Sequence, residues 1–378
     1  MKSEKISITS LAYGGDGIGR CADGRVCFVP GVIPGEEVVV EITCGKKKFC
    51  RGVAIEILKS SANRLEPECP LYGQCPGCAY MHCTYDEELL WKHRQLSDFL
   101  VRGKVAEAEV ILPPVPSPEK LHYRNKITLH TSGEYYGYYG IDNRTVLPVD
   151  KCLLAGKAIN EKLKSAAGNK AVFRFTEKDG ARLIEERNPG KLTETIPGFG
   201  EFEVAGDGFF QVNLPVAAEL IKLAAEEISG GGLLELYCGV GVFSISLAEK
   251  IPELKCTGIE LSKKAIEFAK KNAAKHQLAD RCRFFAGDAG KELKKFRPEG
   301  RFTLLLDPPR TGVEKSTLQK IIELGAEKII YISCAADTLT RDLKELVSSG
   351  YRVKSSRVLD MFPRTAHFET FTVLERGE

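Results

Sequence analysis

From about Asn213 onward the sequence alternates between strand-like and helix-like runs, and no other feature restricts the fold as much. Short apolar runs at Leu233–Tyr237, Lys255–Glu260, Arg283–Ala286, Phe302–Leu306 and Lys328–Ser333 predict strands. Helical spacing over Pro215–Ile228, Phe243–Lys250, Ser262–His276, Glu314–Leu324 and Asp337–Ser348 predicts the connections. Strands that alternate with helices imply a parallel, doubly wound sheet of Rossmann-like type. Two last strand-like runs, Tyr351–Leu359 and Phe368–Leu374, predict an antiparallel pair at the chain's end.

In an open sheet of this kind ligands bind beyond the carboxyl ends of the strands. The first strand runs into Tyr237-Cys238-Gly239-Val240-Gly241, where glycines let the backbone turn tightly and approach a ligand at a helix start. The second strand ends at Glu260, about twenty residues past the glycines and suited to a ribose diol. The third ends at Asp288, suited to the edge of an adenine. A dinucleotide fingerprint needs a third glycine at the sixth position, and Ser244 stands there. Two glycines ahead of acidic strand ends resemble the class I methyltransferases, which implies an S-adenosylmethionine cofactor. Cys238, Cys256 and Cys282 read as packing residues, and Val242 is assigned no cofactor contact.

Three further segments fall where later strands end: Asp307-Pro308-Pro309-Arg310, Ser333-Cys334, and the run from Asp360 to Glu369. The first is similar to the Asn-Pro-Pro-Tyr signature of amine methylation, with Asp for Asn and Arg for Tyr. An amine needs no thiol, whereas an unactivated ring carbon does. Carbon 5 of uracil becomes nucleophilic once a thiolate adds to carbon 6. The C5 proton must then be removed before the thiolate leaves. That chemistry needs a nucleophile and a general base. Cys334 and Glu369 are the candidates.

The rest of the chain carries other signals. Residues 1–60 hold period-2 apolar spacing broken by glycine turns, which suits a small OB-like barrel or a plain structural β-module. Residues 61–205 begin with a cysteine cluster, continue with a helix predicted from Tyr85 to Val101, and then become irregular, with tyrosine- and glycine-rich strands. The apolar content of 43% and charged content of 28% suit a globular chain, and no stretch approaches the ~20 apolar residues of a membrane span. The N-terminus runs into strand-like residues with no apolar leader core, so a cytoplasmic location is expected. In that setting thirteen cysteines point to metal or catalytic thiols rather than disulfides. Cys69, Cys75 and Cys78, with a distant Cys152, suit zinc or an iron–sulfur cluster on spacing alone. A net charge of +3 predicts no polyanion partner by itself; the local runs Lys46-Lys47-Lys48 with Arg51, and Arg124 with Lys126, matter more.

Together, Phe209-Phe210-Gln211-Val212-Asn213, Leu236 to Gly241, Asp307 to Arg310, Ser333-Cys334 with Thr338 to Asp342, and Asp360-Met361-Phe362-Pro363 resemble the RNA uracil-C5 methyltransferases along essentially the whole chain. The specific branch resembled has an N-terminal TRAM domain and a 4Fe-4S cluster. The resemblance implies three domains: a TRAM barrel over residues 1–60, a central α+β iron–sulfur domain over 61–205, and a class I methyltransferase domain over 206–378. It implies Cys334 as nucleophile and Glu369 as base. Gln211, Tyr237, Gly239, Gly241, Glu260, Asp288 and Asp307 are expected to line the cofactor and uracil pocket. Phe209 is expected to stack on a flipped base, and Arg124 and Lys126 to contact RNA. Cys69, Cys75, Cys78 and Cys152 are implied as cluster ligands, with Cys83 the alternative fourth and His82 a packing neighbour. The expected partner is 23S ribosomal RNA, with the TΨC loop of transfer RNA as the alternative and a non-catalytic iron–sulfur RNA-binding protein as the reading from another class. A monomer is expected.

Overall fold

The computed structural model describes residues 3–163, 170–228, 231–298 and 300–377. The C-terminal half is built on a seven-stranded sheet. Its order is Cys282–Ala286, Lys255–Glu260, Gly232–Leu236, Phe302–Leu306, Lys328–Ser333, Glu369–Arg376 and Tyr351–Leu359. The first five strands are parallel, and Glu369–Arg376 runs antiparallel to both of its neighbours. Phe302–Leu306 is buried throughout, as strands covered on both faces must be. The order turns back between Gly232–Leu236 and Phe302–Leu306, which opens a crevice at their carboxyl ends.

The N-terminal six-stranded sheet has the order Ser3–Ser7, Glu37–Gly45, Phe49–Lys59, Val26–Val29, Gly17–Arg20, Ser10–Leu11. It curls around Ile6, Ile8, Cys27, Val29, Val38 and Val40, the inward positions of alternating strands. Its Ala12–Asp16 turn docks on the core of the C-terminal half. Gln95 Nε2 donates to the Ala12 carbonyl at 2.8 Å. The Tyr13 ring meets Phe99 at 5.1 Å and Phe368 at 5.8 Å, edge-on to both.

Between these halves, the strands Gly180–Ile184, Lys170–Thr176, Lys126–Thr131, Tyr136–Tyr139 and Val146–Pro148 form a separate antiparallel sheet with its own core. The surrounding segments join the core of the seven-stranded sheet instead. Leu96 and Leu100 of the helix Tyr85–Arg102 bury against it, and so do Leu192, Ile196, Phe202 and Val204 of the hairpin Lys191–Ile196/Gly200–Ala205. Residues 111–115 cover the sheet's last strand, Leu112 and Val115 donating to the carbonyls of Ser356 and Val358 at 2.8 Å each. Among the described residues no helix is long and apolar enough to cross a membrane.

Candidate active site

A cleft of about 810 Å³ lies at the carboxyl ends of the parallel strands. Gln211, Tyr237, Gly239, Glu260, Asp288, Asp307, Cys334 and Glu369 all line it, and Phe209 stands at its rim, 72% exposed. Gly241 does not line it but shapes the loop that does. It takes a left-handed φ of 83°, and a Cβ there would come within 2.7 Å of the Phe284 ring. Tyr237 also has a positive φ, 65°, the sparsely populated conformation that marks functional turns.

The loop is braced from beneath. Glu235, fully within the sheet, accepts from Ser244 N at 2.9 Å and from the Ser244 hydroxyl. Burial pushes its carboxyl up to about 8, so it keeps its proton at neutral pH. Ser244, where a dinucleotide site would need glycine, is therefore a loop anchor. At the next strand end the Glu260 carboxylate accepts from Gly239 N at 3.3 Å and Ser262 N at 2.8 Å, which fixes it at the mouth of the cleft. Asp288 caps the helix Ala289–Leu293 through Lys291 N at 3.0 Å.

The other end of the cleft carries the thiol. Cys334 directly follows the strand Lys328–Ser333, and Ser333 pairs with Thr370. Because Glu369–Arg376 runs antiparallel, its first residue arrives beside the end of its parallel neighbour, and Glu369 faces Cys334. Asp307 ends the adjacent strand and accepts from Gln211 Nε2 at 3.4 Å. Burial pushes Asp307 up to about 7. Burial and then the Asp307 charge hold Glu369 well above the usual carboxylate range. Cys334 is pushed up to about 12 by burial first, then by Glu369 and Asp307, while the Arg310 guanidinium opposes them. Arg310 lines the cleft and meets His367 Nδ1 at 3.4 Å. His367 is itself held down at about 4 by burial and by Arg310.

Two devices hold the site's loops. Arg174 Nε pairs with buried Glu194 at 2.6 Å, and its Nη1 donates to the Gly208 carbonyl at 3.0 Å. Asn125 Nδ2 reaches the Gln211 carbonyl at 3.2 Å. Lys126, expected to contact RNA, donates to the carbonyls of Asp207 and Gly208 at 3.3 and 3.1 Å and so supports the loop that presents Phe209 and Gln211. The second device is a buried charge knot. Lys92 Nζ donates to Glu88 and to Asp360 at 2.7 Å each, with all three side chains fully buried, and to the Phe362 carbonyl at 3.2 Å. Glu88 also accepts from Arg364 N at 2.7 Å. This knot anchors the Asp360–Arg364 turn, whose Phe362 lines the cleft ahead of Glu369.

A second cavity, about 330 Å³, lies between the central sheet and the Cys69–Cys78 loop. Cys69, Cys75, Cys78 and Cys152 all line it, with Tyr72, Met81 and Tyr138. Cys83 does not. It is buried with Leu11, Ile33 and Trp91, and its thiol donates to the Tyr80 carbonyl at 3.4 Å. His82 stands behind the wall, paired with the Tyr72 hydroxyl. Arg124 lines this cavity rather than the cleft, and its charge reaches His367 at the cleft's edge. Among the described residues, no three of the four cavity thiols lie mutually within 4.8 Å. Ligands to a single zinc would stand roughly 3.8 Å apart, given metal–sulfur bonds of about 2.3 Å.

Sequence reasoning missed Leu261, Phe268 and Glu314 in the cleft wall. Leu261 directly follows the acid at the second strand end and is 72% exposed, a position visible once that acid is placed. Phe268 and Glu314 carry no sequence signal of their own.

A glycine loop braced by a buried acid, a fixed carboxylate one strand over and a cleft at the switch point define a class I S-adenosylmethionine-dependent methyltransferase. A family model described as tRNA (uracil-5-)-methyltransferase matches residues 200–377, and one described as TRAM domain matches residues 3–55. An RNA methyltransferase of Bdellovibrio bacteriovorus is 31% identical over 98% of this chain and 94% of its own. The chain belongs to the RNA (uracil-5-)-methyltransferase family. A Shewanella sediminis relative, named 23S rRNA (uracil(1939)-C(5))-methyltransferase, is 29% identical over 98% of this chain and 95% of its own. The crystal structure of Pyrococcus abyssi tRNA (uracil-54, C5)-methyltransferase with S-adenosyl-L-homocysteine shares the fold. It has a TM-score of 0.75 and 24% identity over 98% of this chain and 100% of that one.

Proposed function

We propose that this enzyme forms 5-methyluridine in 23S ribosomal RNA, with Cys334 as the nucleophile and Glu369 as the general base. The observation that carries this reading is the antiparallel strand, which sets Glu369 against Cys334 in one buried cleft end with Asp307 and Gln211. The ribosomal substrate is favoured by full-length relatives of that name at 28–29% identity. A ring carbon needs both a nucleophile and a base, and this pair supplies them.

The glycine loop, Tyr237, Glu260, Asp288 and Gln211 would hold S-adenosylmethionine, which supplies an electrophilic methyl group. The target uridine must leave its stack to enter, and exposed Phe209 offers it a stacking surface. Cys334 adds as the thiolate to C6, which places the electron pair needed for alkylation at C5. Asp307 and Gln211 are positioned to bond the uracil edge. Glu369 then takes the C5 proton, and the pair left behind expels the Cys334 thiolate and restores the ring. A raised pKa makes Glu369 a stronger base than a surface carboxylate once it is ionised.

We also infer that Cys69, Cys75, Cys78 and Cys152 hold a 4Fe-4S cluster, because all four line one cavity and four thiolates are the ligand set of such a cluster. Methyl transfer moves no net electrons, so the cluster's part is to tie the Cys69–Cys78 loop to the central sheet.

The test uses 23S and transfer RNA in which 5-fluorouridine replaces uridine. The fluorine cannot leave as a proton does, so the wild type should form a denaturation-resistant adduct with 23S RNA, while Cys334→Ala forms none. An adduct of equal yield from Cys334→Ala would remove the nucleophile assignment, and an adduct confined to transfer RNA would move the substrate.

A further inference from the structure

We propose that Cys21, Cys27 and Cys50 form a structural site for one thiophilic metal ion inside the N-terminal barrel, apart from the Cys69–Cys152 cavity. Their sulfur atoms all lie within 4.8 Å of one another, the one such trio of ligand atoms among the described residues. Cys21 Sγ and Cys50 Sγ are 3.1 Å apart. The residues are 4%, 0% and 0% exposed.

Three separate segments bring them together. Val26–Val29 pairs in parallel with Phe49–Lys59 and sets Cys27 directly opposite Cys50. The tight turn after Gly17–Arg20, closed by Cys21 N donating to the Arg25 carbonyl at 2.9 Å, folds Cys21 back over both. A lone buried cysteine is most simply a small apolar side chain. Three from separate segments with sulfurs within 4.8 Å of one another can close on a single ion after small side-chain shifts, since thiolates sharing an ion at about 2.3 Å stand roughly 3.8 Å apart, a little wider than the Cys21–Cys50 separation.

Soft thiolates with no imidazole among them select zinc(II) or copper(I) over hard cations. Binding displaces thiol protons: with zinc(II), three thiols release three protons and leave one net negative charge on the site. A disulfide would use only Cys21 and Cys50 and leave Cys27 stranded in the same sulfur cluster. The barrel also has reason to need a staple. The TRAM match covers residues 3–55 only, and a domain of this size buries too little apolar surface to be more than marginally stable alone.

The full-length protein, purified without oxygen and with its iron content measured, should contain about one zinc or copper per chain in addition to iron. Mass spectrometry of the metals identifies which. Cys27→Ala and Cys50→Ala should lose that ion and keep the iron. Removing the ion from wild type with a chelator should lower its Tm and leave that of Cys27→Ala unmoved. Refilling with cobalt(II) should produce a thiolate charge-transfer band in wild type that Cys50→Ala lacks. If the alanine variants fail to fold, the metal content and cobalt band of the wild type still decide. Wild type free of non-iron metal and without the band, equal metal in wild type and variants, or a Cys21–Cys50 disulfide in the non-reduced peptides would each overturn the site.

Discussion

The Glu369 carboxyl faces the Cys334 thiol closely enough that its charge opposes the thiolate, adding to burial in pushing Cys334 up to about 12. The free enzyme therefore keeps its thiol protonated at neutral pH, and reactivity rises with pH as the thiolate forms. A cation seated in the cleft lowers that pKa. Alkylation of Cys334 by iodoacetamide at pH 7.5, followed on its own peptide by mass spectrometry, should be slow in free enzyme. It should accelerate with S-adenosylmethionine but not with S-adenosylhomocysteine, which lacks the sulfonium charge. Equal rates with both would show that cofactor charge does not reach the thiol.

Glu369→Gln separates the two halves of the reaction. The variant should still attack C6 and accept the methyl group, then stall as a methylated protein–RNA adduct. Turnover should fall by roughly 10²–10⁴-fold. Labelled methyl in an adduct on denaturing gels checks this, and normal multiple turnover excludes Glu369 as the base.

Lys92 bridges two carboxylates that have no access to water, and Arg364 shares one of them. Lys92→Met strands them, at a cost of about 3–5 kcal/mol. The expected fall in Tm is roughly 10 °C for a catalytic half of this size. The triple change Lys92→Met, Glu88→Gln, Asp360→Asn should recover most of that loss, because none of the three fully buried positions then carries a charge. A triple variant no more stable than the single one would show that the knot acts through geometry rather than charge.

Protein purified without oxygen should be brown and carry about four irons from the Cys69–Cys152 cavity. Cys152→Ala should lose most of that iron and Cys83→Ala should keep it, since Cys83 is buried in a different cluster. Stoichiometric zinc bound by Cys69, Cys75, Cys78 and Cys152 in place of iron would overturn the cluster.

The catalytic half was largely readable from sequence because its signals are local. Lys255–Glu260, Phe302–Leu306 and Lys328–Ser333 form strands with the bounds their apolar runs predict, and the helices differ by only a residue or so at their ends. Strand ends then placed Glu260, Asp307 and Cys334 in one cleft without knowledge of the tertiary structure. The central sheet was not readable, since Lys126–Thr131 and Tyr136–Tyr139 mix polar, glycine and tyrosine positions with no clean alternation. The Lys92–Asp360 pair was invisible because nothing local distinguishes a buried lysine from a solvated one. The cysteines at 21, 27 and 50 were hidden likewise, their approach depending on a parallel pairing within an otherwise antiparallel barrel.

The charge knot has a consequence for how the enzyme comes into being. Lys92 and Asp360 are 268 positions apart, and Phe362 and Glu369 lie beyond that closure. A chain emerging from the ribosome folds its N-terminal parts first. The helix Tyr85–Arg102 is therefore complete long before Asp360 is made, and Lys92 has only Glu88 for company meanwhile. The nascent enzyme can own a barrel, a central sheet and a cofactor loop and still lack Glu369 beside Cys334. The cleft is complete only when the last strand is threaded between two already synthesised neighbours, so a message that stops before codon 369 yields a nearly whole protein without the carboxylate proposed as its base.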